Sequence, residues 1–283
     1  MAEPMTYPAF IAALRAEGLT VIEETTNGRS PAEHNRNHKG AWGPVNGVMI
    51  HHTVTRGHDS TIDICRTGYS SLPGPLCHGV ICKAGHVHVV GYGRANHAGL
   101  GDDDVLQAVI DEHALPPDNE ANTDGNRHFY GFECENLGDG KDPWPAVQLE
   151  AIERAAAAIC RHHGWNERSV IGHLEWQPGK VDPRGFTMAS MRARISDRLD
   201  GKTTPSAPSH EEDDMPSAEE VAKAVWTYGI DNQFRTDSKG QPRKIPAQDY
   251  MEYGDKHHDD LMAQLRSLTE AVNKLTAALK KES

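Results

Sequence analysis

The sequence predicts an α/β fold with a central mixed β-sheet flanked by helices, and three observations carry that expectation. Short apolar runs such as Val48-Met49-Ile50 and Val170-Ile171 have the length of buried strands. Amphipathic helical periods fall between such runs, most clearly over residues 145–163. The two kinds of segment alternate irregularly, which implies a mixed sheet with helices on its faces.

The elements follow in order. Residues 7–18 read as a short amphipathic helix, with Phe10, Ile11 and Leu14 on one side and Gly18 closing it. Residues 26–43 are polar and read as loop. A buried strand lies within 45–55 and exits through His51-His52-Thr53. Two strand-like pieces within 80–90 flank Lys83-Ala84-Gly85, a hairpin-type connection. Residues 102–113 suggest a short helix, 114–128 a polar surface loop, and 129–135 another strand. The clearest helix, 145–163, buries Leu149, Ile152, Ala156 and Ile159 and stops at Gly164. Residues 170–172 form a strand feeding His173, and 188–199 form the last helix of the first domain, 1–200.

Residues 201–216, with Thr203-Thr204-Pro205-Ser206-Ala207-Pro208-Ser209, read as a flexible linker. Residues 217–283 read as a small, mostly α-helical C-terminal module. There Ser217 and Glu220 fit a capping box. After a polar loop, Leu261, Leu265, Leu268, Val272, Leu275 and Leu279 step by four and three, a short coiled-coil seam. That seam either packs within its own module or self-associates through residues 258–280.

Composition excludes some classes. At 283 residues and a net charge of -12, spread along the chain, no basic face is available for nucleic acid. The five cysteines form no CxxC pair and read as reduced core residues, with Cys77 closest to the chemistry-bearing segments. No charged start followed by an apolar run opens the sequence, and no stretch is long enough to span a bilayer. The expectation is a protein made as a soluble cytosolic species without membrane insertion.

The chemistry-bearing residues lie far apart in sequence. His51 ends one strand, His173 ends another, and Asp182 follows a turn within Gly172-His173-Leu174-Glu175-Trp176-Gln177-Pro178-Gly179-Lys180-Val181-Asp182-Pro183. Three nitrogen and oxygen ligands with a fourth position open is how a catalytic zinc is usually held. Glu133 and Glu135 leave a strand on one face, and either is able to take a proton from an activated water.

Residues 45–198 resemble the zinc-dependent N-acetylmuramoyl-L-alanine amidases, a family that also includes peptidoglycan recognition proteins and amidase-type phage lysozymes. The resembling pieces are Val48-Met49-Ile50-His51-His52-Thr53, Asn96-His97-Ala98-Gly99, Tyr130-Gly131-Phe132-Glu133 and the 173–183 segment. The resemblance implies Zn2+ bound by His51, His173 and Asp182, with Glu133 as the proton acceptor and Lys180 stabilising the oxyanion. It prefers His51 over His52, which becomes a packed or supporting residue. Asn96, His97, His52 and Cys77 are the candidate substrate-contacting residues, with His97 equally readable as a loop-stabilising histidine. Cys77 stands where some relatives have a tyrosine. Glu175 and Trp176 are expected to brace the turn that presents Lys180 and Asp182.

The implied activity is cleavage of the amide between N-acetylmuramic acid and the L-alanine of the stem peptide. The wording of the motifs is most like endolysins of actinobacterial phages. That reading implies storage in the host cytoplasm and access to the cell wall once a holin opens the membrane. The competing expectations are a non-hydrolytic peptidoglycan-binding receptor, which would lack a ligand, and a cytosolic amidase recycling muropeptides, which would not need a second module.

Overall fold

The structure, a computed structural model, describes residues 2–25, 28–202, 229–236 and 242–246. The chain divides into two compact units, Met1–Ala207 and Pro208–Ser283.

The first unit is built on a six-stranded mixed sheet. Its strands are β1 (Val21–Glu23), β2 (Gly47–His52), β3 (Gly79–Ile81), β4 (Val87–Val89), β7 (Phe129–Cys134) and β8 (Val170–Gly172). Their spatial order is β1-β4-β3-β7-β2-β8. Only the β3–β4 pair is antiparallel, which is the hairpin expected around Lys83-Ala84-Gly85. The central strands β2 and β7 are apolar along most of their length because both faces of the sheet are covered.

One face carries the main core. Val48, Ile50, Tyr130, Phe132, Ile81, Val87 and Val89 pack there with the apolar sides of α1 (Tyr7–Ala16) and α4 (Ala146–His163) and with Met191 and Ile195 of α5 (Met188–Leu199). α4 ends at Gly164, whose φ of 72° gives the left-handed turn that returns its N–H to the Cys160 carbonyl. Neighbours on more than one side bury α4 well beyond the stripe expected from its periodicity, down to the ion pair of Glu153 with Arg198.

The opposite face holds Met49, Phe129 and Ile171 against Trp176 and α3 (Asp103–Ile110). Beside them, Val80 and Cys77 meet Ile62 and Cys65 of α2 (His58–Thr67). Strand alternation therefore sends His51, Gly131 and Glu133 to this second face, and His52 to the first.

Several details differ from the expectations. Sequence alone did not mark α2 or β1, because the first has few apolar residues and the second spans three positions. The expected surface loop 114–128 contains β6 (Thr123–Asp124), paired with β5 (Leu100–Gly101), and places Gly125 and Asn126 in the interior. In the second unit, the expected polar loop contains an antiparallel pair, β9 (Gly229–Thr236) and β10 (Pro242–Pro246). The linker over 203–216, the capping box at Ser217 and Glu220, and the seam from Leu261 to Leu279 lie outside the described residues. Among those described, no helix is long and apolar enough to cross a membrane.

Candidate metal centre and catalytic groups

β2 delivers His51 to the second face, in register with Glu133 on the neighbouring β7. β8 ends at Gly172, and the chain turns through the 3-10 segment His173–Glu175. Glu175 fixes this turn by accepting the Gly172 N–H (3.0 Å) and pairing with both terminal nitrogens of Arg192 (2.7 and 2.8 Å). The Trp176 indole N–H donates to the Ala98 carbonyl (3.0 Å), and the ring is fully buried. A Cβ at Gly101 would lie 2.1 Å from that ring, so the close approach requires glycine. Both residues act as the turn supports expected of them. The Leu174 N–H then bonds the Asp182 carbonyl (2.7 Å), folding the 173–182 segment back on itself.

This folding brings three ligand atoms together. His51 Nδ1 lies 3.0 Å from His173 Nδ1 and 3.0 Å from Asp182 Oδ2, and the last two are 3.1 Å apart. Ligand bonds of about 2.0–2.1 Å place tetrahedral partners of zinc roughly 3.3 Å from one another. The triangle is close to that size, and its two imidazoles and one carboxylate are donors that zinc accepts. The residues therefore fit such an ion.

The electrostatics agree. Burial pushes the His51 imidazole down to about 4, against the pull of the nearby Asp182 carboxylate. Burial alone would raise the Asp182 carboxyl, but its bonds with His173 and His51 outweigh that and hold it well below the usual carboxylate range. A neutral His51 ring and an ionised Asp182 carboxylate are the states in which these groups bind a metal.

His97 lies behind His51. Its Nδ1 is 3.1 Å from His51 Nε2, and its Nε2 is 3.1 Å from the Phe129 carbonyl. The carbonyl accepts only, so His97 carries its proton on Nε2 and accepts from His51 Nε2–H. That leaves His51 Nδ1 with a free lone pair in the triangle. Two residues that sequence reasoning missed seat this ring. Gly131 leaves the space, since a Cβ there would come within 2.4 Å of His97 Nδ1. Asn126 Oδ1 accepts the N–H groups of His97 (2.8 Å) and Ala98 (2.9 Å). A glycine inside an apolar strand was a readable signal for the first; nothing in the sequence marked the second.

Glu133 presents Oε2 as a buried atom with no hydrogen-bond partner. Burial holds this carboxyl well above the usual range, Cys65 and Asp182 add to the effect, and the Lys180 ammonium opposes it. Lys180 itself is exposed, and its charge is also felt at His51.

The other candidates sit elsewhere. Cys77 is wholly buried, with its thiol pushed well up by burial and by its bond with Cys65, so it offers no surface to a substrate. His52 points to the opposite face, where its Nδ1 accepts the Arg184 N–H (3.0 Å) and steadies the chain just past Asp182. Asn96 ties its loop to the Pro73 and Pro75 carbonyls. Glu135 accepts the Lys83 backbone N–H (3.2 Å). The structure thus brings His51, His173, Asp182 and His97 together, sets Glu133 in register beside them with the Lys180 charge felt at both His51 and Glu133, and leaves Cys77, His52 and Asn96 in supporting positions. That set can hold a cation, move a proton and meet a developing negative charge.

Residues 41–185 match the family described as N-acetylmuramoyl-L-alanine amidase. No curated protein matches the sequence. Among solved structures, the fold is similar to the endolysin N-acetylmuramoyl-L-alanine amidase LysCS from Clostridium intestinale, at 14% identity over 62% of this chain and 95% of that one, TM-score 0.40. A mutant endolysin from Bacillus subtilis is similar at 17% identity over 62% and 99%, TM-score 0.42. The amidase AmiD from E. coli is similar at 15% identity over 61% and 65%, TM-score 0.39.

Proposed function

Because the chain belongs to the N-acetylmuramoyl-L-alanine amidase family, we propose that it uses Zn2+ to cleave the bond between the lactyl group of N-acetylmuramic acid and the stem-peptide L-alanine. The observation that carries this reading is the triangle of His51, His173 and Asp182, with Glu133 in register beside it. When bound, the ion polarises the scissile carbonyl and lowers the pKa of water toward ~7.

The chain's own groups do the rest. His97 keeps the His51 proton on Nε2, so that the Nδ1 lone pair would be free to hold the ion. Glu133, raised by burial, is a strong base once ionised. It takes the water proton at Oε2 and returns it to the leaving amine. Lys180 swings its ammonium toward the negative charge that develops on the carbonyl oxygen.

The biological setting we propose is host lysis by a phage endolysin, held in the host cytoplasm and reaching the wall after a holin opens the membrane. What supports it is a second compact unit, Pro208–Ser283, beyond the matched region 41–185. An insoluble polymer rewards an anchoring module, whereas a soluble muropeptide does not. Co-expression with a holin should lyse a susceptible host and expression alone should not; lysis without holin removes the setting but not the activity.

The activity is tested on purified sacculi by the release of free L-alanine amino termini. Chelation should abolish release, zinc should restore it, and Asp182→Ala should remain inactive in either case. Zinc-loaded wild type that releases none would overturn the proposal.

A further inference from the structure

A second group of metal-binding side chains lies under α2, outside the site described above. His58 opens α2, Cys82 follows β3, and His88 is the middle residue of β4. Each places one ligand atom within 4.8 Å of the others. Because Val87 and Val89 belong to the main core, alternation along β4 turns His88 to the α2 side. There its ring centroid is 4.7 Å from that of His58, at an interplanar angle of 77°.

The ring of His88 is unequally satisfied. Its Nδ1 bonds Glu24 Oε1 at 2.7 Å, while its Nε2 is buried and has no hydrogen-bond partner. The residue is only 3% exposed, so water does not readily make up the deficit. A carboxylate behind one nitrogen of an imidazole fixes the tautomer and leaves the other nitrogen as a lone-pair donor, as behind zinc-bound histidines.

We propose that His58, Cys82 and His88 form a second metal site that takes a borderline-soft divalent cation of the Zn2+ class. One thiolate and two imidazoles discriminate against hard cations such as Mg2+ and Ca2+, which prefer oxygen ligands. Cys82 is a free, buried thiol that gives up its proton on binding. His58 is exposed, which provides the entry path and admits solvent as a fourth ligand. The ion would bridge three elements. It would also pin the start of α2, where the N-cap Gly57 offers no side-chain cap. α2 carries Cys65, a free thiol hydrogen-bonded to Cys77 close to Glu133, so the ion would brace the back wall of the catalytic groups without touching substrate.

The test uses full-length protein and metal binding alone. Zinc-reconstituted wild type should hold about two equivalents per chain by elemental analysis, and Asp182→Ala or Cys82→Ser about one. Asp182→Ala loaded with Co2+ should show a near-ultraviolet thiolate-to-cobalt band, since the triangle of His51, His173 and Asp182 contains no sulfur. Adding Cys82→Ser should abolish that band. His58→Ala, a surface change that folding tolerates, should weaken Co2+ binding by at least about tenfold. One equivalent in wild type with none in Asp182→Ala would overturn the site, as would a band that survives Cys82→Ser. Either result leaves the first centre intact.

Discussion

A histidine has two ring nitrogens, and at His51 both are in use. Nδ1 joins His173 and Asp182, while Nε2 reaches His97 and through it the Phe129 carbonyl. Removing the outer partner frees the ring to rotate and to change tautomer. His97→Ala should therefore weaken zinc binding by about 10–100-fold while far-ultraviolet circular dichroism stays unchanged. A wild-type zinc affinity would show that His51 is held by its strand alone. Glu133 is different, since it sits beside the triangle without belonging to it. Glu133→Gln should keep its zinc and lose about 10²–10⁴-fold in kcat. Loss of zinc with the activity would instead make it a ligand. Lys180→Ala should cost about 10²–10³-fold in kcat with little change in zinc content.

At the scale of elements, the approach to β3 is tied to β7 by a side chain, that of His78 just before the strand. His78 Nε2–H donates to the Gly93 carbonyl (2.8 Å), and its Nδ1 accepts the Gly131 N–H (2.9 Å). The bond at Nδ1 needs the neutral ring, and burial pushes its pKa from 6.5 down to about 4. The unfolded chain therefore takes up this proton before the folded one does. The stability that His78 contributes is complete above pH 6.5 and is lost as pH falls toward about 4. A shift of that size is worth as much as roughly 3 kcal/mol. Urea unfolding of metal-free protein at intervals across that window should show the fall, and His78→Gln should flatten it by close to one proton. An unchanged slope would mean that the ring charges without leaving its partners. The same scale explains what was legible in the sequence. α4 was readable because its apolar period runs for several turns and ends at a glycine. β1 and the β5–β6 pair were not, being two or three residues held by neighbours that no local pattern names. The choice of His51 over His52 rested on resemblance, because strand parity assigns a face only once the position of α1 and α4 is known.

For the whole molecule, the catalytic unit was legible because two of its candidate ligands, His51 and His173, stand at strand ends in the order of the motifs. The second unit was less so. Its β9–β10 pair is written in polar residues between prolines and glycines, which read as loop without a partner to impose pairing. The tethering role we propose for it rests on the physics of the substrate. A surface polymer is attacked repeatedly by an enzyme that stays near it, and tethering raises the local concentration of bonds without altering the chemistry at any one of them. The net charge of -12 makes non-specific attraction to an anionic wall a poor substitute for such a tether. A chain ending after Lys202 retains the described catalytic elements and omits the second unit. It should hydrolyse a soluble muropeptide within about twofold of the full chain, yet clear intact sacculi at least about tenfold more slowly. The two substrates assayed side by side separate the possibilities. Equal loss on both would mean that the catalytic unit depends on the second for its fold, and equal retention would leave residues 208–283 without a part in wall binding.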